Sequence, residues 1–237
     1  GANSGTVSGV NTLIGGTGND TIVFGAAVAN ASVILGSGAD TLTLANGGNS
    51  ATVADVRSLV GGTGADIITL GDTANNASVD LGTGNDTLNL GDFNNTITVA
   101  NTETIAGGSG NDSVTLGSAL AASNSIDLGS GASTLTLANA TNTGTVNGAS
   151  SLIGGTGADT VTLGTAASNA SIDLGAGNDT LTLGNFTNTA TVSNVETIGA
   201  GSGTDNITLA TALTNSMQVD LCSRSLKTLT MNNGTTS

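Results

Sequence analysis

The amino-acid sequence lacks several residue types that most folded proteins use. Its 237 residues include no His, Trp, Tyr or Pro, only three Phe and one Cys. Without large aromatic side chains the chain cannot build a conventional globular core, although Val, Ile and Leu can still form a thin one. The absence of His and the single Cys argue against zinc, copper and iron sites. One cysteine, Cys222, also excludes an internal disulfide.

Basic residues are equally scarce. Three Lys and Arg stand against 17 Asp and Glu, which gives a formal net charge of −14. Binding to phosphates needs a basic surface, so we expect no nucleic-acid partner. No apolar run approaches the length needed to cross a membrane, so we expect no membrane-spanning segment. The first residues match the end of a repeat unit, which favours a fragment of a longer repetitive chain.

What the sequence does contain is a short motif of glycine and aspartate that recurs ten times. Its copies are spaced about 20 and about 26 residues apart in alternation, so a full unit has 46 or 47 residues. A period of this size is typical of a solenoid, in which each repeat packs only on its neighbours. The copies include GGTGND at 15–20, GSGAD at 36–40, GGTGAD at 61–66, GTGND at 82–86, the acid-free GSGAS at 129–133, and a broken copy near 222–228.

The residues between these turns alternate in the way that half-buried strands do. Each turn is followed by a strand such as TLTL, in which Leu42 and Leu44 face inward and Thr41 and Thr43 outward. A polar bend and a second strand complete the coil. We therefore predict an all-β, right-handed parallel β-solenoid, or β-roll, of about ten coils. Residues 1–237 form a single repetitive domain in this interpretation, with alternating coils of about 20 and about 26 residues. All glycine-aspartate turns then lie along one edge.

Stacked turns bring like charges close together. Carboxylates about 5 Å apart repel by about 3 kcal/mol per pair at an effective dielectric constant near 20, so a bound ion or a proton must neutralise them. Calcium suits such a turn because it takes six to eight oxygens and accepts backbone carbonyls. Glycine lets the backbone turn its carbonyls inward. Magnesium is the alternative ion, but it gives up its waters reluctantly.

The motifs GGTGNDTIV, GGTGADIIT, GGSGNDSVT and GGTGADTVT resemble the calcium-binding nonapeptide repeats of RTX (hemolysin-type) proteins. The resemblance covers nearly the whole chain. It implies a β-roll with Ca2+ in its turns and secretion from a Gram-negative bacterium. It assigns the metal to the aspartates Asp20, Asp40, Asp66, Asp86, Asp112, Asp159, Asp179 and Asp205. It assigns carbonyl ligation to the turn glycines Gly16, Gly18, Gly36, Gly38, Gly62, Gly64, Gly82, Gly84, Gly108, Gly110, Gly155, Gly157, Gly175, Gly177, Gly201 and Gly203.

The chain also departs from that family pattern. The motif occurs once per predicted coil, so we expect about eight ions on one edge only. Ser133 replaces the acid in one turn, which should weaken the sites that it shares. The last turn, CSRSLK, carries Arg224 and Lys227 instead of an acid. Either the array ends there, or these cations replace calcium as a cap.

The sequence predicts a structural protein and no enzyme, because it contains no nucleophile–base pair and no phosphate-binding loop. The leading interpretation is a calcium-stabilised repeat of the bacterial cell surface or extracellular matrix, such as an adhesin extender, an S-layer-like sheet or a filament. Self-association end to end is expected. The alternatives are an ice-binding solenoid that uses outward Thr ranks and a calcium-folded segment of a toxin or secreted enzyme. Outward acids on the second strands either recruit calcium or keep neighbouring molecules apart: Asp80, Asp127, Asp173 and Asp220.

Overall fold

The computed structural model describes residues 1–214, 216–221 and 226–231, so Cys222 and Arg224 lie outside the described part. The chain divides into two compact units, residues 1–118 with 128–131 and residues 119–127 with 132–237. Both units consist of parallel β-strands, and no helix occurs among the described residues. The predicted all-β parallel solenoid is confirmed, whereas its right-handed sense and its extent as one domain over 1–237 stay predictions.

The first unit contains thirteen strands. They are β1 (Ser4–Val7), β2 (Thr12–Thr17), β3 (Thr21–Phe24), β4 (Ala31–Ser37), β5 (Thr41–Thr43), β6 (Ser50–Ala54), β7 (Ser58–Val60), β8 (Ile67–Leu70), β9 (Asn75–Asp80), β10 (Thr87–Asn89), β11 (Thr96–Ala100), β12 (Thr104–Ala106) and β13 (Ser113–Leu116). Odd-numbered strands pair with one another in one sheet, and even-numbered strands pair in the other. Each coil of the unit therefore contributes one strand to each sheet.

The second unit repeats this arrangement with twelve strands. They are β14 (Ser125–Asp127), β15 (Ser133–Thr136), β16 (Thr143–Asn147), β17 (Ala149–Gly155), β18 (Thr160–Leu163), β19 (Ser168–Gly175), β20 (Thr180–Leu183), β21 (Asn188–Ser193), β22 (Thr197–Ala200), β23 (Asp205–Leu209), β24 (Gln218–Asp220) and β25 (Lys227–Met231). Odd and even strands again belong to separate sheets. In both units we call the turns that lead into odd strands the odd edge, and those that lead into even strands the even edge.

The strand registers correct the predicted coil length. Thr21 stands opposite Thr41, and Thr41 stands opposite Ser58. Hydrogen bonds between stacked turns show the same two spacings, 20 and 17 residues. The longer of the two predicted coil lengths is therefore wrong. The chain between Asp40 and Asp66 contains three strands, β5, β6 and β7, which is one coil and a half. What reads in the sequence as one long second strand is in fact two strands on opposite sheets.

This register also places the acidic turns on both edges of the coils. One sequence unit, from Asp20 to Asp66, contains five strands, β3 to β7. Since five is odd, the next unit begins on the opposite edge. Asp20 and Asp40 precede the odd strands β3 and β5, whereas Asp66 and Asp86 precede the even strands β8 and β10. The expectation that all acidic turns lie along one edge is therefore wrong.

The core is the thin aliphatic stack that the alternation predicts. The inward positions named above, Leu42 and Leu44, are buried, as are Ile68 and Leu88 on the facing sheet. Outward positions are mostly Thr, and Asp80 points away from the core while Val79 and Leu81 are buried. Parallel ladders and this stack bury the apolar face of each coil against the next, which no single coil could do alone.

Candidate metal sites at the coil turns

The backbone of several acidic turns is bent in a way that favours glycine. Gly16 and Gly18 adopt φ angles of 116° and 106°, a region that L-residues with a side chain rarely enter. The turns also stack closely. A Cβ atom on Gly36 would lie 2.0 Å from the carbonyl oxygen of Gly16. The missing side chains leave room for carbonyl oxygens to face the slot between neighbouring turns.

The aspartate that closes each acidic turn is buried, and in six turns of the described chain only one of its two carboxylate oxygens has a hydrogen-bond partner. The Oδ1 atom of Asp40 accepts the backbone N–H of Asp20 at 2.6 Å, and Oδ1 of Asp86 accepts that of Asp66 at 2.7 Å. The Oδ2 atom is buried in the same turns. In the described part of the chain, this second oxygen has no hydrogen-bond partner in Asp20, Asp40, Asp66, Asp86, Asp159 and Asp179. A buried carboxylate oxygen without a partner is costly, so each of these turns calls for a cation or a proton.

One turn shows which atoms a cation would contact. Lys227 reaches the turn of Asp205 and donates hydrogen bonds to the carbonyl oxygen of Gly201, at 3.0 Å, to that of Gly203 and to Oδ2 of Asp205. Those carbonyls lie four and two residues before the aspartate. They are the carbonyl positions that the sequence assigned to metal ligation. A positive charge therefore fits the pocket formed by Oδ2 and the two carbonyls.

Other turns fill the equivalent pocket with an asparagine that the sequence analysis missed. The Nδ2 atom of Asn49 donates to the carbonyls of Ala45 and Gly47, four and two residues earlier, at 2.9 and 2.8 Å. It also donates to Oδ1 of Asp66 at 2.8 Å. The signal was present in the sequence, because an equivalent asparagine recurs once in each sequence unit: Asn49, Asn95, Asn142 and Asn188.

The acids therefore form short clusters and not the single long column that the motif spacing predicts. On the even edge of the first unit the order is Asn49, Asp66, Asp86 and Glu103, each accepting from the backbone N–H of the member before it. The same order in the second unit is Asn142, Asp159, Asp179 and Glu196. On the odd edge, Asn3, Asp20 and Asp40 form one cluster and Asn95 donates to Asp112 in another.

Burial and repulsion act on these clusters together. Burial raises the pKa of Asp86, and the charges of Asp66 and Glu103 raise it further, against the lowering by the Asp66 N–H. Burial likewise raises the pKa of Asp179, with the charges of Asp159 and Glu196 adding to it. The pKa of Asp112 is raised by burial, although hydrogen bonds from Asn95 oppose the shift. The charged form of each carboxylate is thus disfavoured unless a cation is present.

The structure also places three other residues that the sequence pointed to, Ser133, Asp80 and Asp173. Ser133, the acid-free position, is buried at the start of β15. Asp80 caps its own turn, because its Oδ1 atom accepts the N–H of Gly82 at 3.1 Å and the amide of Asn101 at 2.8 Å. Asp173 does the same with Gly175 and Asn194. These two outward acids therefore have a role inside the coil.

No group of three or more His, Cys, Asp or Glu side chains converges on one point among the described residues. Each pocket offers one carboxylate oxygen with backbone carbonyls. Calcium accepts that mixture, whereas zinc and the redox metals prefer nitrogen and sulfur ligands. The residues present therefore fit calcium.

Comparison with known proteins decides the family. The model of the RTX calcium-binding nonapeptide repeat matches residues 6–26, 58–76, 78–98, 99–135, 146–166 and 169–190, which together are more than half of the chain. The chain belongs to the RTX calcium-binding repeat family. No curated protein and no solved structure matches it.

Membership confirms the resemblance and makes this RTX chain a calcium-binding structural repeat at the level of the family. The family repeat is a nonapeptide, so two repeats are about as long as one coil, which spans 17 or 20 residues between stacked turns. None of the described residues forms a helix that is long and apolar enough to cross a membrane.

Proposed function

We propose that the chain is a calcium-stabilised structural repeat of the bacterial cell surface or extracellular matrix. The supporting observation is the buried Oδ2 atom of the turn aspartates, which lacks a hydrogen-bond partner in six turns of the described chain. Calcium bound there would be held by Asp20 with the carbonyls of Gly16 and Gly18, and by the equivalent residues of the other clusters. The bound ion supplies the positive charge that lets neighbouring acidic turns stack.

Calcium would act on folding through mass action. An ion that binds the folded coils better than the unfolded chain stabilises by RT ln(1 + [Ca]/Kd), about 2.7 kcal/mol per site at one hundred times Kd. RTX repeats occur typically in secreted proteins, where free calcium is high enough for sites of modest affinity. A surface stalk or sheet that becomes rigid only outside the cell follows from this linkage.

Calorimetric titration of the whole chain with calcium tests the proposal. We expect saturable binding in wild type and fewer bound ions when Asp66→Asn and Asp86→Asn are combined. Asp92→Asn is the matched control, because Asp92 is an exposed acid in the Asn95 turn and an Asn side chain there can still accept the N–H of Ser109. Wild-type protein that binds no calcium, or a double variant that binds as many ions as the control, contradicts the proposal.

Self-association is part of the same proposal. Among the described strands, β1 and β2 each pair on one side only, with β3 and β4. Open strand edges attract further strands, and the exposed side chain of Ile14 lies on β2. Further repeats or a second copy of the chain would cover them. Light scattering with calcium and with chelator tests this: a particle that stays monomeric in both at high concentration rejects the second copy.

Ice binding is a second candidate, favoured by one regular array in the second unit. Across β16, β18 and β20, Thr143, Thr160 and Thr180 stand opposite one another, and a parallel column contains Thr145, Thr162 and Thr182. Strand spacing places the rows about 4.8 Å apart and the columns about 6.7 Å apart. A thermal hysteresis assay on wild type and Thr162→Tyr decides: hysteresis lost in the variant supports this candidate, and none in wild type rejects it.

A further inference from the structure

Lys227 is the first residue of β25 and stands opposite Asp205 of β23 in the strand register. Its side chain is 9% exposed, and that of Asp205 is fully buried. An ammonium group this deeply buried is rare unless it is paired. Here it is paired, because the Nζ atom contacts Oδ2 of Asp205 and the carbonyl oxygens of Gly201 and Gly203.

The position of Lys227 has a counterpart in the complete clusters, which are those with two stacked aspartates, such as Asp159 and Asp179. Across β18 and β20, Thr160 stands opposite Thr180, which places Asp179 beside Asp159. Lys227 therefore occupies the register position at which that cluster has its second aspartate. The substitution reverses the local charge, since two carboxylates become one carboxylate and one ammonium.

The donors of lysine match the acceptors of the pocket. An ammonium has three N–H donors and no acceptor, and this pocket offers three oxygens. The Oδ2 atom of Asp205 consequently has a partner, whereas those of Asp159 and Asp179 have none in the described structure. An ion pair that is buried with its hydrogen bonds complete does not need a metal ion to balance its charge.

We propose that Lys227 is a built-in cation that fills the Asp205 pocket permanently, so this turn binds no calcium and holds β23 to β25 without it. The inference rests on the proposed function, in which calcium occupies the other acidic turns. It changes the expectation for Asp205, Gly201 and Gly203, which the sequence analysis assigned to metal. These residues then bind the Lys227 ammonium instead.

The test is calcium stoichiometry by calorimetry on the full chain. Lys227→Met keeps the apolar stem and removes the charge, which reopens the pocket, so we expect one additional calcium ion per chain. Adding Asp205→Asn should remove that ion again. Thr228→Met is the matched control, because Thr228 is the exposed neighbour on the same strand, where successive side chains point to opposite faces. The control should bind as many ions as wild type.

The outcomes separate this inference from the proposed function. Wild type that binds no calcium contradicts both. Wild type that binds calcium, with no extra ion in Lys227→Met, overturns the inference alone. An unchanged ion count in the additional Asp205→Asn variant also overturns it, because the new ion would then lie elsewhere.

Hydrogen exchange covers the case in which Lys227→Met loosens the last coil. In wild type the amides of Ile207 and Leu209 on β23 should exchange at the same rate in calcium and in chelator. In Lys227→Met we expect about tenfold faster exchange in chelator, a local opening that calcium reverses. Exchange that calcium does not slow in the variant, or that already depends on calcium in wild type, overturns the inference.

Discussion

Two acidic sites of the second unit, the stacked pair Asp159 and Asp179 and the single Asp205, differ in how their charge is balanced. At Asp159 and Asp179 two stacked carboxylates leave both Oδ2 atoms without a hydrogen-bond partner in the described structure. At Asp205 the residue in the second position is Lys227, and the carboxylate is paired. At Asp205 the carbonyls four and two residues before the aspartate accept hydrogen bonds from this ammonium. We infer that the second residue of a cluster decides whether the turn needs calcium.

Removing calcium should give the largest difference between these two turns. With chelator, the acids of each complete cluster repel one another because no bound ion neutralises them. The melting temperature should therefore fall by roughly 5–10 °C for each site that had been saturated. Circular dichroism melting with calcium and with EDTA measures this fall.

Hydrogen exchange in the same two buffers shows which strands lose stability when calcium is removed. We expect β18 and β20 to lose protection in EDTA while β23 and β25 keep theirs. Equal loss in both regions would remove the distinction between them.

Neutralising the complete cluster should reverse its response to calcium. Asp159→Asn combined with Asp179→Asn removes the repelling charges, so in chelator the variant should melt above wild type. In saturating calcium it should melt below wild type, because it lacks the ligands. Melting curves in both conditions measure the crossing.

Asp173→Asn is the control for this pair, because an Asn side chain at 173 can still accept from Gly175 and Asn194. Its melting temperature should follow that of wild type in both buffers. A double variant that is less stable than wild type in chelator as well would show that the acids do not repel as described.

The asparagine turns should be sensitive to mutation but indifferent to calcium. Asn142→Ala removes the side-chain donor to the carbonyls of Ala138 and Ala140, and it removes one donor to Asp159. Loss of buried hydrogen bonds of this kind costs about 1–3 kcal/mol. Urea unfolding should show that loss, whereas Asn206→Ala, at an exposed strand position, should change little. A cost that disappears in chelator would contradict a purely structural role for Asn142.

Protons should replace calcium in part, and this is the smallest of the expected effects. Burial and neighbouring charge raise the pKa values of Asp86 and Asp179 in the folded chain, above about 3.9 in the unfolded chain. The folded chain therefore binds more protons between these two values, and stability must fall as pH rises through that window. In chelator, melting temperature should be higher near pH 4 than at pH 7. A melting temperature that rises with pH in chelator would contradict the shifts.

Much of this fold could be predicted from sequence, since strict alternation placed Leu42 and Ile68 inside and the repeat period predicted stacking. The edge on which each turn lies could not be predicted, because in the sequence the strand Ser58–Val60 looks like a continuation of the strand before it. Counting that strand separately makes five strands per unit and moves Asp66 to the opposite edge.

The pockets were predictable only in part. The glycine and aspartate positions followed from the motif, and they include the carbonyls that Lys227 contacts. Asn49 was overlooked because an asparagine in a polar bend is common, and its role depends on hydrogen bonds to the carbonyls of its own turn and to Asp66. Lys227 remained one of two alternatives, because only the strand register shows that it stands opposite Asp205.

A crystal structure of the chain grown with calcium, with anomalous scattering used to locate the ions, tests the central claim most directly. We predict calcium beside Asp20 and Asp40 on the odd edge and beside Asp66 and Asp86 on the even edge. We also predict calcium beside Asp159 and Asp179, and an Asp205 turn that contains the Lys227 ammonium and no ion. Acidic clusters without calcium, or calcium bound at Asp205 with Lys227 displaced, would contradict that claim.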